Sequence, residues 1–409
     1  MKIFALIIYC LILKESINKI IPFDLQNGIK YIGVNDHYEH YHATIEGPNP
    51  VPNGAAYNSY VIIDDKILII DGIHEFYQKI WLENLQRALE GRKPDFLLIQ
   101  HMEPDHSDNI LDVLKLYPDI KIVASSTAFK MMENYLNFDL SKNSLVVKEG
   151  DKLELGNHIL NFIEAPMVHW PEVIITYDSL TKTLFTSDSF GKFGANDIDE
   201  PWEDEARRFY FGILGKFGQH VQFLIQKISK LEIKNIFPSH GQILTENIPY
   251  YISFYDKWSK YIPEEKGVVI VYSSVYGHTK EAVDKLSEKL KSLGIKYIIY
   301  NASTNHWTKM LSDTFRYNSL ILASVMIDDD ISPAMREFIE IILSFNYQNR
   351  KVGFMENGSW NRRGNKIMKS MLKDCKNLSF YKNEVSIDIS LDENSISQIN
   401  NLANEISKN

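Results

Sequence analysis

At 409 residues the chain is too long for one compact domain, and two or three cores of roughly 150 residues each are expected. Hydrophobic residues at 44% and charged residues at 24% are ordinary globular composition, and a net charge of −9 excludes the basic surface that a nucleic-acid backbone demands. Two cysteines, Cys10 and Cys375, with no Cys-x-x-Cys pair, exclude a disulfide framework and a thiolate-ligated metal centre, which makes the cytoplasm the default compartment.

The chain starts with an apolar run over residues 3–13 behind Lys2. It is too short to span a bilayer, so no membrane partner is expected. No small-residue cleavage site precedes Lys14 and Glu15, so residues 1–21 read as an N-terminal extension, with a signal peptide as the alternative. The folded part is expected from Pro22.

Residues 22–262 form a first domain in which short apolar runs ("SYVIID", "KILIID", "DFLLIQ", "KIVASS") are separated by Asp, Gly and Asn turns. Two stretches at helical spacing interrupt them: "IHEFYQKIWLENLQRALEG", stopped by Gly91, and "SDNILDVLKLYP", with Ser107 as its expected cap and Pro118 as its end. Strands flanked by helices predict an α/β sandwich.

Four residues with metal-ligand chemistry, His101, Glu103, Asp105 and His106, fall between the "LLIQ" strand and the following helix. That is the carboxyl edge of a sheet, where α/β proteins hold ligands. The alternative is a solvated acidic helix start, favoured by the helix dipole. Three more residues follow apolar runs closely: His169 in "APMVHWPE", Asp188 in "LFTSDSFG" and His240 in "IFPSHGQI". Together these seven side chains could hold two metal ions. The "HYEHYHA" cluster of His37, His40 and His42 reads instead as a surface segment near the site entrance, and His74, His158, His220 and His306 as structural histidines. Tyr210, in the segment between Asp188 and His240, is a weak candidate for lining a substrate pocket.

After the charged Pro/Gly stretch "WSKYIPEEKG", residues 266–409 alternate strands ("VVIVY", "SLILAS", "KVGFM", "EVSIDI") with helices such as "KEAVDKLSEKLKSLG". This predicts a doubly wound parallel sheet. In "VVIVYSSVYGHTKEAVDKL" a buried strand turns through hydroxyl residues and Gly277 into a helix, aiming backbone N–H groups at one point. Neither a Walker A sequence nor G-x-G-x-x-G is present, so a phosphate monoester fits better than a nucleoside triphosphate or a dinucleotide.

The sequence His101-x-Glu103-x-Asp105-His106 resembles the H-x-H-x-D-H motif of the metallo-β-lactamase superfamily, with glutamate in the second histidine's place. That variant is the hallmark of the flavodiiron proteins (A-type flavoproteins). The resemblance implies an N-terminal αββα sandwich with His101, Glu103 and His169 on one iron and Asp105, His106 and His240 on the other. Asp188 would bridge them, and family members differ in whether the residue at position 106 reaches its iron. Three carboxylates beside four imidazoles make a harder set than a histidine-rich zinc site, which suits iron.

Residues 266–409 resemble flavodoxin. The resemblance implies FMN, its phosphate held by Ser274, Val275, Tyr276, Gly277 and Thr279, and its ring flanked by Ser324, Val325, Met326, Asn357, Gly358, Ser359 and Trp360. The loop after Met326 departs from the family's pattern by carrying Asp328, Asp329 and Asp330, whose charge is expected to disfavour an anionic reduced flavin. The combined resemblance implies reduction of O2 to water and/or NO to N2O, electrons from an external donor such as rubredoxin, and a head-to-tail homodimer or homotetramer. Two other readings are a zinc-dependent hydrolase on the same sandwich and an FMN electron carrier whose metal site is structural.

Overall fold

The computed structural model describes residues 23–37 and 50–408; Cys10, the N-terminal extension, His40 and His42 lie outside the described residues. A first unit ends at Asp256 and a second begins at Lys257. The division lies inside the helix Ile248–Ser259, before the Pro/Gly stretch at 262–266 where the sequence suggested it. The cause is the attachment of that stretch: Arg350 and Asn349 donate to the carbonyls of Tyr261 and Lys260, and the Tyr261 ring lies against Phe315.

In the first unit a seven-stranded sheet runs in the order Phe23–Gln26, Ile29–Tyr31, Tyr60–Ile63, Ile67–Ile70, Phe96–Leu98, Lys121–Ala124, Ser144–Val146. A five-stranded sheet runs Lys152–Glu154, Ile159–Glu164, Ile174–Asp178, Thr183–Phe185, Asn235–Phe237. The two share one core: Tyr60, Ile62, Leu68, Ile70 and Leu98 from the first meet Leu160, Phe162, Ile174, Phe185 and Phe237 from the second. Helices cover the outer side of the larger sheet; Trp81 of Gln78–Leu89 is buried and donates to Ser59 Oγ at 3.0 Å. A strand covered on both faces needs apolar side chains at every position, which is why Ile67–Ile70 reads as unbroken "ILII".

Parallel pairing then places the site. Ile67–Ile70, Phe96–Leu98 and Lys121–Ala124 are mutually parallel, as are Thr183–Phe185 and Asn235–Phe237, so the loops after them leave from a common edge of each sheet.

The second unit is a parallel sheet in the order Tyr297–Asn301, Glu265–Ser273, Tyr317–Ile327, Lys351–Gly358, with Ser379–Phe380 and Val385–Asp388 beside the last. The chain therefore starts near the middle, moves outward once and reverses, which puts helices on both faces. His278–Ser292 and Glu393–Ile406 pack Leu286, Leu290, Ile399 and Leu402 against Ile270, Ile321 and Met355 on one face. The fold is thus a metallo-β-lactamase-like sandwich joined to a flavodoxin-like sheet. Among the described residues no helix is long and apolar enough to cross a membrane.

Candidate metal centre

The strand before the ligand loop stops at Leu98, and Gln100 is held beyond it by the buried Asp71, which accepts from Gln100 N at 2.7 Å and from its side chain at 3.2 Å. Burial pushes the Asp71 carboxyl up to about 6. Ser107 is not the helix cap that the sequence suggested. It lies inside the short helix Pro104–Ser107 and donates its hydroxyl to the carbonyls of Met102 and Glu103, both at 3.0 Å. The following helix, Ile110–Leu116, starts at Asn109 instead. The loop is thereby wound back on itself, and His101, Glu103, Asp105 and His106 face one volume.

All seven candidate ligands meet there, in two groups whose ligand atoms lie within 4.8 Å of one another: His101, Glu103, His169 and Asp188, and Asp105, His106 and His240. Asp188 joins them. Its Oδ2 lies 3.0 Å from His169 Nε2 and 3.5 Å from His101 Nε2, while its Oδ1 lies 3.2 Å from His106 Nε2 and 3.3 Å from His240 Nε2. His106, the position at which the resemblance left the role open, points its Nε2 into the second group, 3.5 Å from Asp105 Oδ1.

Buried polar atoms normally have hydrogen-bond partners, and leaving one without costs about 1–3 kcal/mol. Here both carboxylate oxygens of Asp105, His106 Nε2, His240 Nε2 and Asp188 Oδ2 are buried without one among the described residues. His101 Nε2 and His169 Nε2 face each other at 3.2 Å. Converging lone pairs of this kind fit divalent cations. The same crowding shows in the protonation energetics: burial alone would lower the His101 imidazole, but hydrogen bonds to Glu103 and Glu172 and the Asp188 charge raise it to about 10. Burial opposes ionisation of Asp188, yet the imidazoles of His106, His169 and His240 hold its carboxyl well below the usual range.

At the sheet edge of the second unit, the turn at 274–277 leads into His278–Ser292, with Gly277 at φ +94° and open space where a side chain would project. That helix has no side-chain cap, and Thr279 is buried in its first turn. Val275 and Tyr276 are exposed at the turn and Trp360 is 78% exposed beside Ser359. Ser324, Val325 and Met326 finish the strand Tyr317–Ile327, which runs past the "SLILAS" segment read from the sequence, and Met326 pairs with Ile331 in a tight hairpin. The buried Ser324 hydroxyl is engaged inside the fold, accepting from Ser332 N at 3.1 Å and donating to Val325 O at 2.9 Å. Asn357 and Gly358 likewise end the strand Lys351–Gly358, and the Asn357 amide donates to Ile389 O at 3.0 Å. The expected negative field is also reduced, because Arg336 holds both oxygens of Asp330 at 2.6 Å and Asn361 donates to Asp329 at 2.8 Å.

Residues 55–241 match the family described as ODP family beta lactamase. The chain is 32% identical over 251 residues to diflavin flavoprotein A 1 of Synechocystis sp., covering 59% of this chain and 44% of that one. It is 28% identical over 367 residues to a nitric oxide reductase of Moorella thermoacetica, covering 87% and 90%. The fold superposes on the flavodiiron protein of Giardia intestinalis with a TM-score of 0.87 over 95% of this chain and 96% of that one, at 21% identity. By these matches the chain is similar to flavodiiron proteins and diflavin flavoproteins. It spans about half the length of the first curated relatives it matches, 54% of each.

Several residues around the site escaped the sequence reading. Glu172 is buried and its Oε1 accepts from His101 Nδ1 at 2.7 Å and from Met102 N at 2.9 Å. His240 Nδ1 lies 2.9 Å from Ala56 O, and Ser239 Oγ donates to Asp188 Oδ1 at 2.8 Å. Trp170 packs edge-on against His101 at 5.0 Å, and Tyr57 and Phe209 lie 6.1 and 5.7 Å from His240, ring centre to ring centre. Phe209 thus lies beside His240, while the neighbouring Tyr210 ring packs on Phe211 and Tyr255. Of the histidines set aside, His37 pairs with Asp197, His74 and His306 cap helices, His158 pairs with Asp178, and His220 lines a cleft of about 660 Å³ that contains none of the seven ligands.

Proposed function

We propose that the chain is an oxidoreductase that reduces O2 to water and/or NO to N2O at a pair of iron ions, with FMN as its flavin. The observation that carries this is Asp188, whose two oxygens face two separate ligand groups. One carboxylate can span the roughly 3.5–4 Å of a two-metal site. His101, Glu103 and His169 would hold one ion and Asp105, His106 and His240 the other. When bound, two ferrous ions and a reduced FMN supply up to four electrons, enough for O2 + 4 H⁺ to 2 H2O, whereas 2 NO + 2 H⁺ to N2O and H2O needs two.

The residues of the chain orient and shield that chemistry. Glu172 and Ala56 O accept at Nδ1 of His101 and His240, which leaves Nε2 of both rings as the nitrogen that would hold a metal. Trp170, Tyr57 and Phe209 wall the imidazoles against water. Of the seven, Glu103 and His169 have the most exposed side chains, at 19% and 10%, and would form the side of the site nearest solvent. In the second unit the uncapped start of His278–Ser292, with Ser274, Val275, Tyr276, Gly277 and Thr279, supports an FMN phosphate, and the exposed Trp360 supports a flat ring beside Met326 and Ser359. A separate carrier such as a rubredoxin would supply the electrons, and a head-to-tail homodimer or homotetramer would pair the two cofactors.

Metal and flavin analysis with stopped-flow reoxidation tests this reading. The iron-loaded protein should carry two irons and one FMN per chain, and its reduced flavin should be reoxidised rapidly by O2 or NO. Zinc retained in preference to iron, with hydrolytic activity, would favour the hydrolase instead.

A further inference from the structure

We propose that Asn58 is a positioning residue for the second metal-ligand group, fixing the 238–241 turn that carries His240 and, through Ser239, one oxygen of Asp188. The inference rests on the metal-pair reading above.

Asn58 is 2% exposed and its amide uses its full hydrogen-bonding capacity. Nδ2 donates to Pro238 O and Gly241 O, both at 2.8 Å, on either side of His240. Its backbone N–H donates to Ser239 O at 2.8 Å. One residue thus binds three of the four carbonyls of the turn. On the acceptor side, Oδ1 takes Tyr31 OH at 2.9 Å and Asn196 Nδ2 at 2.8 Å. Asn196 lies on the segment that leaves Asp188, so the two loops that supply Asp188 and His240 meet on this one amide.

The turn has little freedom to compensate. Gly241 sits at φ +74°, and a Cβ there would come within 2.4 Å of Lys192 Cγ, so the turn is pressed against Lys192 on its other side. Without Asn58 the buried Gly241 carbonyl loses the donor described here, while Pro238 O keeps only Tyr60 OH at 2.7 Å. The turn would then shift, and with it His240 Nε2 and the Ser239 hydroxyl on Asp188. Groups that orient metal ligands typically change affinity by about 10- to 100-fold when removed.

The test is an anaerobic Co²⁺ titration of the full-length apoprotein, followed by visible absorption and calorimetry. Wild type should take up two Co²⁺, one in a step that His240→Ala abolishes. In Asn58→Ala that step should weaken about 10- to 100-fold while the other stays within threefold; Asn58→Ser, which can still reach one carbonyl, should weaken it less. Tyr31→Phe removes a bond of the same network but leaves the turn held, and should bind both ions as wild type does. The proposal is overturned if folded Asn58→Ala, or Asn58→Ser should the alanine variant not fold, binds both ions with wild-type affinity. It is equally overturned if the Asn58 variants and Tyr31→Phe weaken both steps alike, the pattern of a general loss of stability. Uptake of fewer than two Co²⁺ by wild type would overturn the metal-pair reading itself, and the proposal with it.

Discussion

Glu172 lies 2.7 Å from a metal-facing imidazole, and replacing it tests how much of the metal affinity resides behind the ligands. Its Oε1 accepts from both His101 Nδ1 and Met102 N, while Oε2 is buried without a partner among the described residues. Glu172→Gln can keep both bonds through its carbonyl oxygen but loses the charge that makes His101 a stronger donor. Glu172→Ala loses the bonds too, freeing the ring to rotate and leaving Met102 N–H buried and unpaired. Such groups are worth about 10- to 100-fold in metal affinity, which is about 1.4–2.8 kcal/mol. The glutamine variant should sit near the lower figure and the alanine variant near the upper. The loss should fall on the ion held by His101, Glu103 and His169, because the Glu172 side chain bonds only to His101 and Met102. Anaerobic Fe²⁺ titration against a chromophoric chelator resolves the two ions. Equal weakening of both ions, or a folded alanine variant within threefold of wild type, would refute the reasoning.

Three further outcomes are expected. Glu103→His, which recreates the histidine-rich ligand set, should shift preference from iron towards zinc in a metal competition assay; an unchanged ratio would count against the role given to Glu103. His158 is buried with Asp178 Oδ2 at 3.0 Å from Nδ1 and Asn27 O at 2.7 Å from Nε2. Burial would lower this imidazole, but the bond to Asp178 raises it, and burial opposes ionisation of Asp178 while His158 holds that carboxyl low. The histidine's contribution to stability is complete below its unfolded value of about 6.5 and is lost as pH rises through the raised folded value; the aspartate's is complete above about 3.9 and is lost as pH falls through the depressed one. His158→Gln should therefore destabilise the first unit by about 3 kcal/mol near pH 6, with the gap narrowing at alkaline pH in urea unfolding; a pH-independent gap would contradict the charged pair. Trp360→Ala should weaken FMN binding about tenfold, read by flavin fluorescence, and leave the melting temperature of the apoprotein unchanged because the ring is exposed.

That these seven residues converge was legible in the sequence because each combines an unusual residue type with a place just after an apolar strand, and loops at strand ends keep that order in the fold. The layer behind them was not. Glu172 and His101 are 71 residues apart, and His240 and Ala56 are 184 apart, so no local spacing links them. Ser107 misled for a related reason: the residue type suits a cap, but its hydroxyl is drawn backwards to the carbonyls of Met102 and Glu103. The hairpin through Met326 was hidden because three aspartates read as a turn of negative charge, while Arg336 and Asn361, which hold two of them, come from later elements. Tyr210 and Phe209 are neighbours in one aromatic run, and only the packing separates the ring beside His240 from the ring on Tyr255.

The most direct test of the account is gas uptake by the full chain loaded with iron and FMN and reduced anaerobically, followed with an O2 electrode and then an NO electrode. Rapid consumption of at least one gas, abolished by Asp188→Ala, is the predicted result. Consumption of neither gas, with two irons and one flavin confirmed per chain, would contradict it and leave an electron carrier with a structural metal site.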